Sequence, residues 1–272
     1  FPELMTERSL AFIEESKDKP FFLYFPLNIP HYPEQAPEKF AEPFKDLKDP
    51  ARKSYATIMH ATDHYIGRVV DKIEELGLRK NTLFIYMSDN GHSEETGNRI
   101  RVDNHKSGHP KGHFYGASGG GYTGKWKGQK GTFLEGGIRV PAIISFPVKL
   151  PQGETRDQVV TSMDWLPTVM ELCGIERSKG DPKLDGHSVL PLIRSAKAKS
   201  SYGDVLHFQW HTQWAVRKGQ WKLIGRGAKA FFLGNVNDEQ PERKNYAKEK
   251  PELVVRLLEM HEKWSAEVKP VK

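Results

Sequence analysis

The chain has 272 residues, 37% of them hydrophobic and 28% charged, enough for one sizeable α/β core and a small appendage. A formal net charge of +6 suits an anionic substrate, an acidic polymer or a membrane surface, but basic runs interleaved with aromatics are absent, which argues against a nucleic-acid module. The single cysteine, Cys173, excludes an internal disulfide, and no apolar stretch approaches membrane-spanning length.

In chain order, residues 4–15 carry an amphipathic helical pattern, and residues 21–25 (Phe-Phe-Leu-Tyr-Phe) a continuous apolar strand. Continuous apolarity predicts a sheet buried on both faces. A proline-rich loop with Pro30-His31-Tyr32-Pro33 follows. Residues 52–76 keep apolar side chains on a helical period, and Gly77 is placed to end that helix. The strand at 82–87 leads directly into Ser88-Asp89-Asn90-Gly91-His92. Strand, helix and strand in alternation predict an α/β fold with a mostly parallel sheet flanked by helices. A long Gly-, His- and Lys-rich loop spans 88–131, followed by a strand at 140–146. A helix is expected at about 163–173, where Thr161 and Asp164 stand at capping-box spacing and Cys173 reads as a buried structural residue. Polar segments at 176–185 and 194–199 suggest a boundary between a core, 1–195, and a small C-terminal subdomain, 200–272. That subdomain reads as short antiparallel strands with glycine turns, then a helix from about 251 to 268.

In an open α/β sheet, ligands gather beyond the carboxyl ends of the strands. Asp89 and Asn90, adjacent hard-oxygen side chains at such an end, suit Ca²⁺, with Mg²⁺ the alternative. His31 could donate a proton near neutral pH, and Lys125, Lys127 and Lys130 could neutralise an oxyanion. Together they predict a site for a tetrahedral anion. The polar loop 98–113, with His105 and His113, is placed to recognise a hydroxyl-rich or charged substrate. His60 and His64 have zinc-ligand spacing, but their helix must cover the sheet and packing is the expected role. Gly119-Gly120-Gly121 lacks the spacing of a phosphate loop.

These residues resemble the type I sulfatase family, of the alkaline phosphatase-like superfamily. The likeness rests on Asn28-Ile29-Pro30-His31-Tyr32-Pro33, on Asp63-His64-Tyr65-Ile66-Gly67, on Ser88-Asp89-Asn90-Gly91 and on Asp164-Trp165-Leu166-Pro167-Thr168. The most specific stretch is Gly128-Gln129-Lys130-Gly131-Thr132-Phe133-Leu134-Glu135-Gly136-Gly137-Ile138-Arg139-Val140-Pro141. The resemblance implies sulfuric ester hydrolysis, with Asp89 and Asn90 as calcium ligands and Lys130 and His31 as catalytic and substrate-binding residues. It implies structural roles for Glu135-Gly136-Gly137 and for Arg139 in a buried salt bridge. The family's nucleophile is a formylglycine made from Cys or Ser in a C/S-x-P-x-R motif. Cys173-Gly174-Ile175-Glu176-Arg177 lacks the proline, and Ser145-Phe146-Pro147-Val148-Lys149 ends in lysine at a core strand. The formylglycine is therefore expected in a missing N-terminal part of the same protein, with any signal for periplasmic or secreted location. The implied substrate is a small sulfated molecule, carbohydrate by preference or an aryl ester. The rivals are phosphoester or phosphonate hydrolysis within the superfamily, and non-catalytic binding of sulfated glycans.

Overall fold

The computed structural model describes residues 1–31, 34, 36–93, 121–202 and 205–268. They form two compact units: Phe1–Gly124 with Gly136–Val148, and Lys125–Glu135 with Lys149–Lys272. Among the described residues, no helix is long and apolar enough to cross a membrane.

In the first unit, helix α1 (Pro2–Ser16) packs on the long helix α2 (Pro50–Glu75). Ile58, Ala61, Tyr65, Val69 and Ile73 recur every three or four residues on α2, and all are buried. Val69 and Ile73 meet Ile13 of α1, while Ile58, Ala61 and Tyr65 enclose Phe40 and Ile29. The buried hydroxyls of Thr6 and Ser9 donate to carbonyls one turn back, at 2.9 and 2.8 Å, so α1 buries them without orphaned donors. Glu3–Arg68 and Glu14–Lys72, each at 2.5 Å, tie the helices at their rims.

Strand β1 (Phe84–Met87) pairs antiparallel with β2 (Ala142–Ser145). The mostly parallel sheet expected from the alternation of elements is thus not what this pair forms. Residues 21–25 carry no ladder either. Phe21, Leu23 and Phe25 pack beside Phe84 against the helices, whereas Phe22 and Tyr24 are 78% and 75% exposed. Tyr86 and Ile143, direct cross-strand partners, are 46% and 60% exposed. Apolar composition alone cannot distinguish burial on two faces from burial on one. Here one side packs and the other stays open.

In the second unit, α4 (Trp165–Cys173) starts as the sequence predicts. The Asp164 carboxylate accepts the Thr161 N–H at 2.7 Å, closing a capping box. Gly174 ends the helix in the left-handed conformation. Cys173 is exposed, not buried: the buried stripe runs through Thr168 and Leu172, and Cys173 lies one step further round. A short helix, α5 (Leu190–Arg194), follows.

Four strands, β3 (Val205–Trp210), β4 (Gln213–Lys218), β5 (Trp221–Arg226) and β6 (Lys229–Asn235), form an antiparallel meander, as expected. Its turns use Gly219 and Gly227 at φ +54° and +55°. Period-two alternation sorts the side chains. Trp214, Val216, Leu223 and Leu233 face helix α6 (Pro251–Glu267) and pack on Leu257. Phe208, Arg217, Lys222 and Phe232 point the other way, and each meets the segment 125–135. The sheet is a platform with a helix on one face and a lysine-bearing segment on the other.

Candidate active site

Asp89 and Asn90 lie just past the carboxyl end of β1, Asp89 exposed and Asn90 partly so. The bend is closed by the Ser88 hydroxyl, which donates to the Asn90 carbonyl at 2.8 Å, and by the Gly91 N–H, which donates to the Gly137 carbonyl at 2.9 Å. Gly91 is required: a Cβ there would sit 1.9 Å from the Gly136 carbonyl oxygen. The backbone of Glu135-Gly136-Gly137 is therefore the neighbour that the missing side chain of Gly91 lets approach. These residues form the body of the short helix α3 (Glu135–Ile138). A carboxylate and an amide carbonyl are hard oxygen donors and fit Ca²⁺, which takes six to eight oxygen ligands. Two side chains do not complete that shell. Among the described residues, no three His, Cys, Asp or Glu side chains cluster as a metal site. The helical pair His60 and His64 instead packs its rings on Phe40, at 5.7 and 5.1 Å between centroids.

His31 is exposed, two residues after the buried anchor Ile29 and next to the cis Ile29–Pro30 peptide. It belongs to the same unit as Asp89 and Asn90. His105, His113 and the rest of the loop 98–113 lie outside the described residues, as do Tyr32 and Pro33.

Lys130 belongs to the second unit. It is the second residue of a tight turn, Gln129–Thr132, in which the Thr132 N–H donates to the Gln129 carbonyl at 3.0 Å. Gly131, the third residue, has φ +84°, which only glycine adopts without strain. The Thr132 hydroxyl donates to the same carbonyl at 2.8 Å and accepts the Gln129 N–H at 3.2 Å. The glycine–threonine pair after Lys130 thus has a local reason: Gly131 supplies the left-handed residue and Thr132 the second closure of a turn that has Lys130 at its apex. Lys127 is held differently, its ammonium 5.1 Å from the centre of the Phe232 ring, and Lys125 lies 4.9 Å from that of Trp126.

Arg139, expected to be buried, is exposed and stands just past the end of α3. Glu135 is the buried charged residue of that stretch, and it pairs with Lys222 and Arg217. Lys222 escaped sequence reasoning. A lysine alternating with apolar residues in Trp221-Lys222-Leu223-Ile224 reads as a solvent-facing strand position. A pattern of period two marks which face a residue takes, not whether that face is covered.

The chain matches the sulfatase family profile over residues 1–175, and a profile described as N-sulphoglucosamine sulphohydrolase, C-terminal, over residues 125–263. It is similar to human arylsulfatase D, 32% identical over 217 residues that cover 76% of this chain and 33% of the relative. It is similar also to mouse steryl-sulfatase, 30% identical over 79% of this chain and 32% of that protein. Among solved structures it resembles Ps i-CgsB in complex with k-i-k-neocarrahexaose, with TM-score 0.78 and 26% identity over 97% of this chain and 54% of that one. The chain therefore spans about a third of these two relatives and about half of that solved structure. With a sulfatase profile covering more than half of its residues, including the Asp89–Asn90 strand end and the Lys130 turn, this chain belongs to the sulfatase family.

Proposed function

We propose that the chain supplies the cation-binding and anion-binding residues of a sulfuric ester hydrolase, and that a further part of the same protein supplies the nucleophile. The observation that carries this reading is the sulfatase match over residues 1–175, which includes both local structures described above. Asp89 and Asn90 would hold a calcium ion; when bound, it supplies positive charge beside the oxygens of the sulfate group. Lys130 would donate its ammonium N–H groups to those oxygens, steadying the charge that gathers on them as the S–O bond to the leaving group breaks. His31 would give a ring N–H proton to the departing oxygen, which would otherwise leave as an alkoxide. His105 and His113 would contact the rest of the substrate. A sulfated carbohydrate is the preferred class. The basic net charge, the polar stretch 98–113 and the similarity to a protein solved with k-i-k-neocarrahexaose support it.

The test uses the complete polypeptide, extended upstream until a C/S-x-P-x-R motif is included. It should hydrolyse an aryl sulfate and a sulfated sugar, lose activity with a calcium chelator and regain it with added Ca²⁺. Lys130→Ala should lower kcat about 10²–10³-fold, the cost of removing one charge-stabilising donor. The 272 residues alone should leave both esters intact. Hydrolysis of phosphonate esters with sulfate esters untouched, or activity indifferent to Lys130→Ala, would overturn the proposal.

A further inference from the structure

Beneath the Lys130 turn lies a cluster of four charged side chains. The Lys222 ammonium, with none of its side chain accessible, is 2.5 Å from Glu135 Oε1, 2.9 Å from Glu242 Oε1 and 3.0 Å from the Phe133 carbonyl oxygen. The guanidinium of Arg217, the residue directly opposite Lys222 in the β4–β5 ladder, is 3.3 Å from Glu135 Oε2. Glu242 Oε2 accepts the Glu135 backbone N–H at 2.6 Å. Two cations and two carboxylates make the set neutral.

Stability alone is a poor reason for such a cluster. Apolar side chains of similar volume commonly serve a fold as well as a buried ion pair, or better. What the charges add is fixed geometry. Their partners Phe133 and Glu135 belong to the strand of chain that leaves the Gln129–Thr132 turn. The chain entering the turn is held by Lys127 on Phe232, and Phe133 itself lies 6.1 Å from Phe208, centroid to centroid. Both limbs of the turn are thereby fastened to one face of the meander, with Lys130 at the apex.

We infer that Lys222 is a positioning residue. With Glu135 and Glu242 it sets where the 128–134 turn stands on the sheet, and so where the Lys130 ammonium is presented to a sulfate group. The inference rests on the proposed role of Lys130 as a sulfate ligand. It makes anion affinity a property of the C-terminal sheet as well as of the loop.

The experiment compares the complete polypeptide with its Lys222→Met/Glu242→Gln double variant. That pair of changes removes one charge of each sign, keeps an acceptor for the Glu135 N–H and leaves Glu135 with Arg217. Inorganic sulfate binding is measured by calorimetry, and amide hydrogen exchange is followed across 129–133. The expected result is about a tenfold weaker sulfate affinity per folded molecule, with faster exchange in the turn and unchanged protection in α2. In a Lys130→Ala background the same double change should weaken sulfate no further, because coupled residues are non-additive. A tenfold loss repeated in that background, or wild-type affinity and exchange in the double variant, would overturn the inference. Were Lys130→Ala itself without effect on sulfate, the ligand role would fall, and exchange in 129–133 would still decide whether Lys222 fixes the turn. If the double variant does not fold, Arg217→Gln removes only the outer donor to Glu135; about a threefold loss supports the inference, and unchanged affinity overturns it.

Discussion

A methyl group at Gly91 would lie 1.9 Å from the Gly136 carbonyl oxygen and 3.0 Å from the Gly137 Cα, so Gly91→Ala must push two backbones apart. Overpacking of this kind costs about 1–3 kcal/mol. A lower urea midpoint for the first unit, together with weaker calcium binding at Asp89, is the expected outcome. Calcium titration of the variant checks it. Lys222→Met alone is a harsher change than its charge-balanced counterpart. It leaves Glu135 and Glu242 facing each other across a buried site, and breaking a buried pair this way costs about 3–5 kcal/mol. The single variant should therefore unfold at lower denaturant than the Lys222→Met/Glu242→Gln double variant. Equal midpoints would show that the carboxylates find other compensation. The first of these residues was legible: an Asn-Gly pair at a strand end marks a tight bend. The second was not, because its two carboxylates come from distant parts of the chain and no local pattern joins them.

Among the elements, the seam between β3, β4 and α6 is sensitive to acid. His207 stacks on Trp264 at 4.9 Å, His261 on Trp214 at 4.3 Å, and the Nδ1 atoms of both histidines are buried without a hydrogen-bond partner among the described residues. Burial, with a further push from His261, holds His207 down to about 4. Burial lowers His261 too, against the opposing charge of Glu262. The folded state keeps both rings neutral, whereas the unfolded chain binds protons near the ordinary histidine value of 6.5. Stability from this seam is thus complete above about pH 6.5 and is lost as pH falls towards 4. Urea unfolding of the second unit should show that slope, and His207→Phe should flatten it. Asp164 fastens another joint. It accepts from the Thr161 and His187 backbone N–H groups and from the Tyr202 hydroxyl, which burial and this carboxylate push up to about 12. Asp164→Asn should bring the Tyr202 ionisation back towards 10, read by ultraviolet titration. The start of α4 was readable from Thr161 and Asp164, since a capping box is written in three residues' spacing. The fate of residues 21–25 was not, because strand pairing depends on neighbours that local sequence does not specify.

For the molecule as a whole, family membership was readable in the segment 128–141, where Gly131 has a local backbone reason, its left-handed place in the turn. The proposed convergence of His31, Asp89, Asn90 and Lys130 on one anion could not be read in the same way. It joins residues from two compact units, and local patterns carry no distance information across such a division. Size and exposure carry a further expectation. Phe22, Tyr24, Tyr86 and Ile143 all lie open on the first unit. The 272 residues alone should bind a hydrophobic dye and sediment faster as concentration rises. Tyr86→Thr with Ile143→Thr should reduce both effects.

Those open aromatic side chains bear on the life of the polypeptide before any ester meets it. Released by itself in a cell, a chain with these apolar groups exposed would be met first by chaperones and quality-control proteases. Its abundance would then be set by how quickly they are covered.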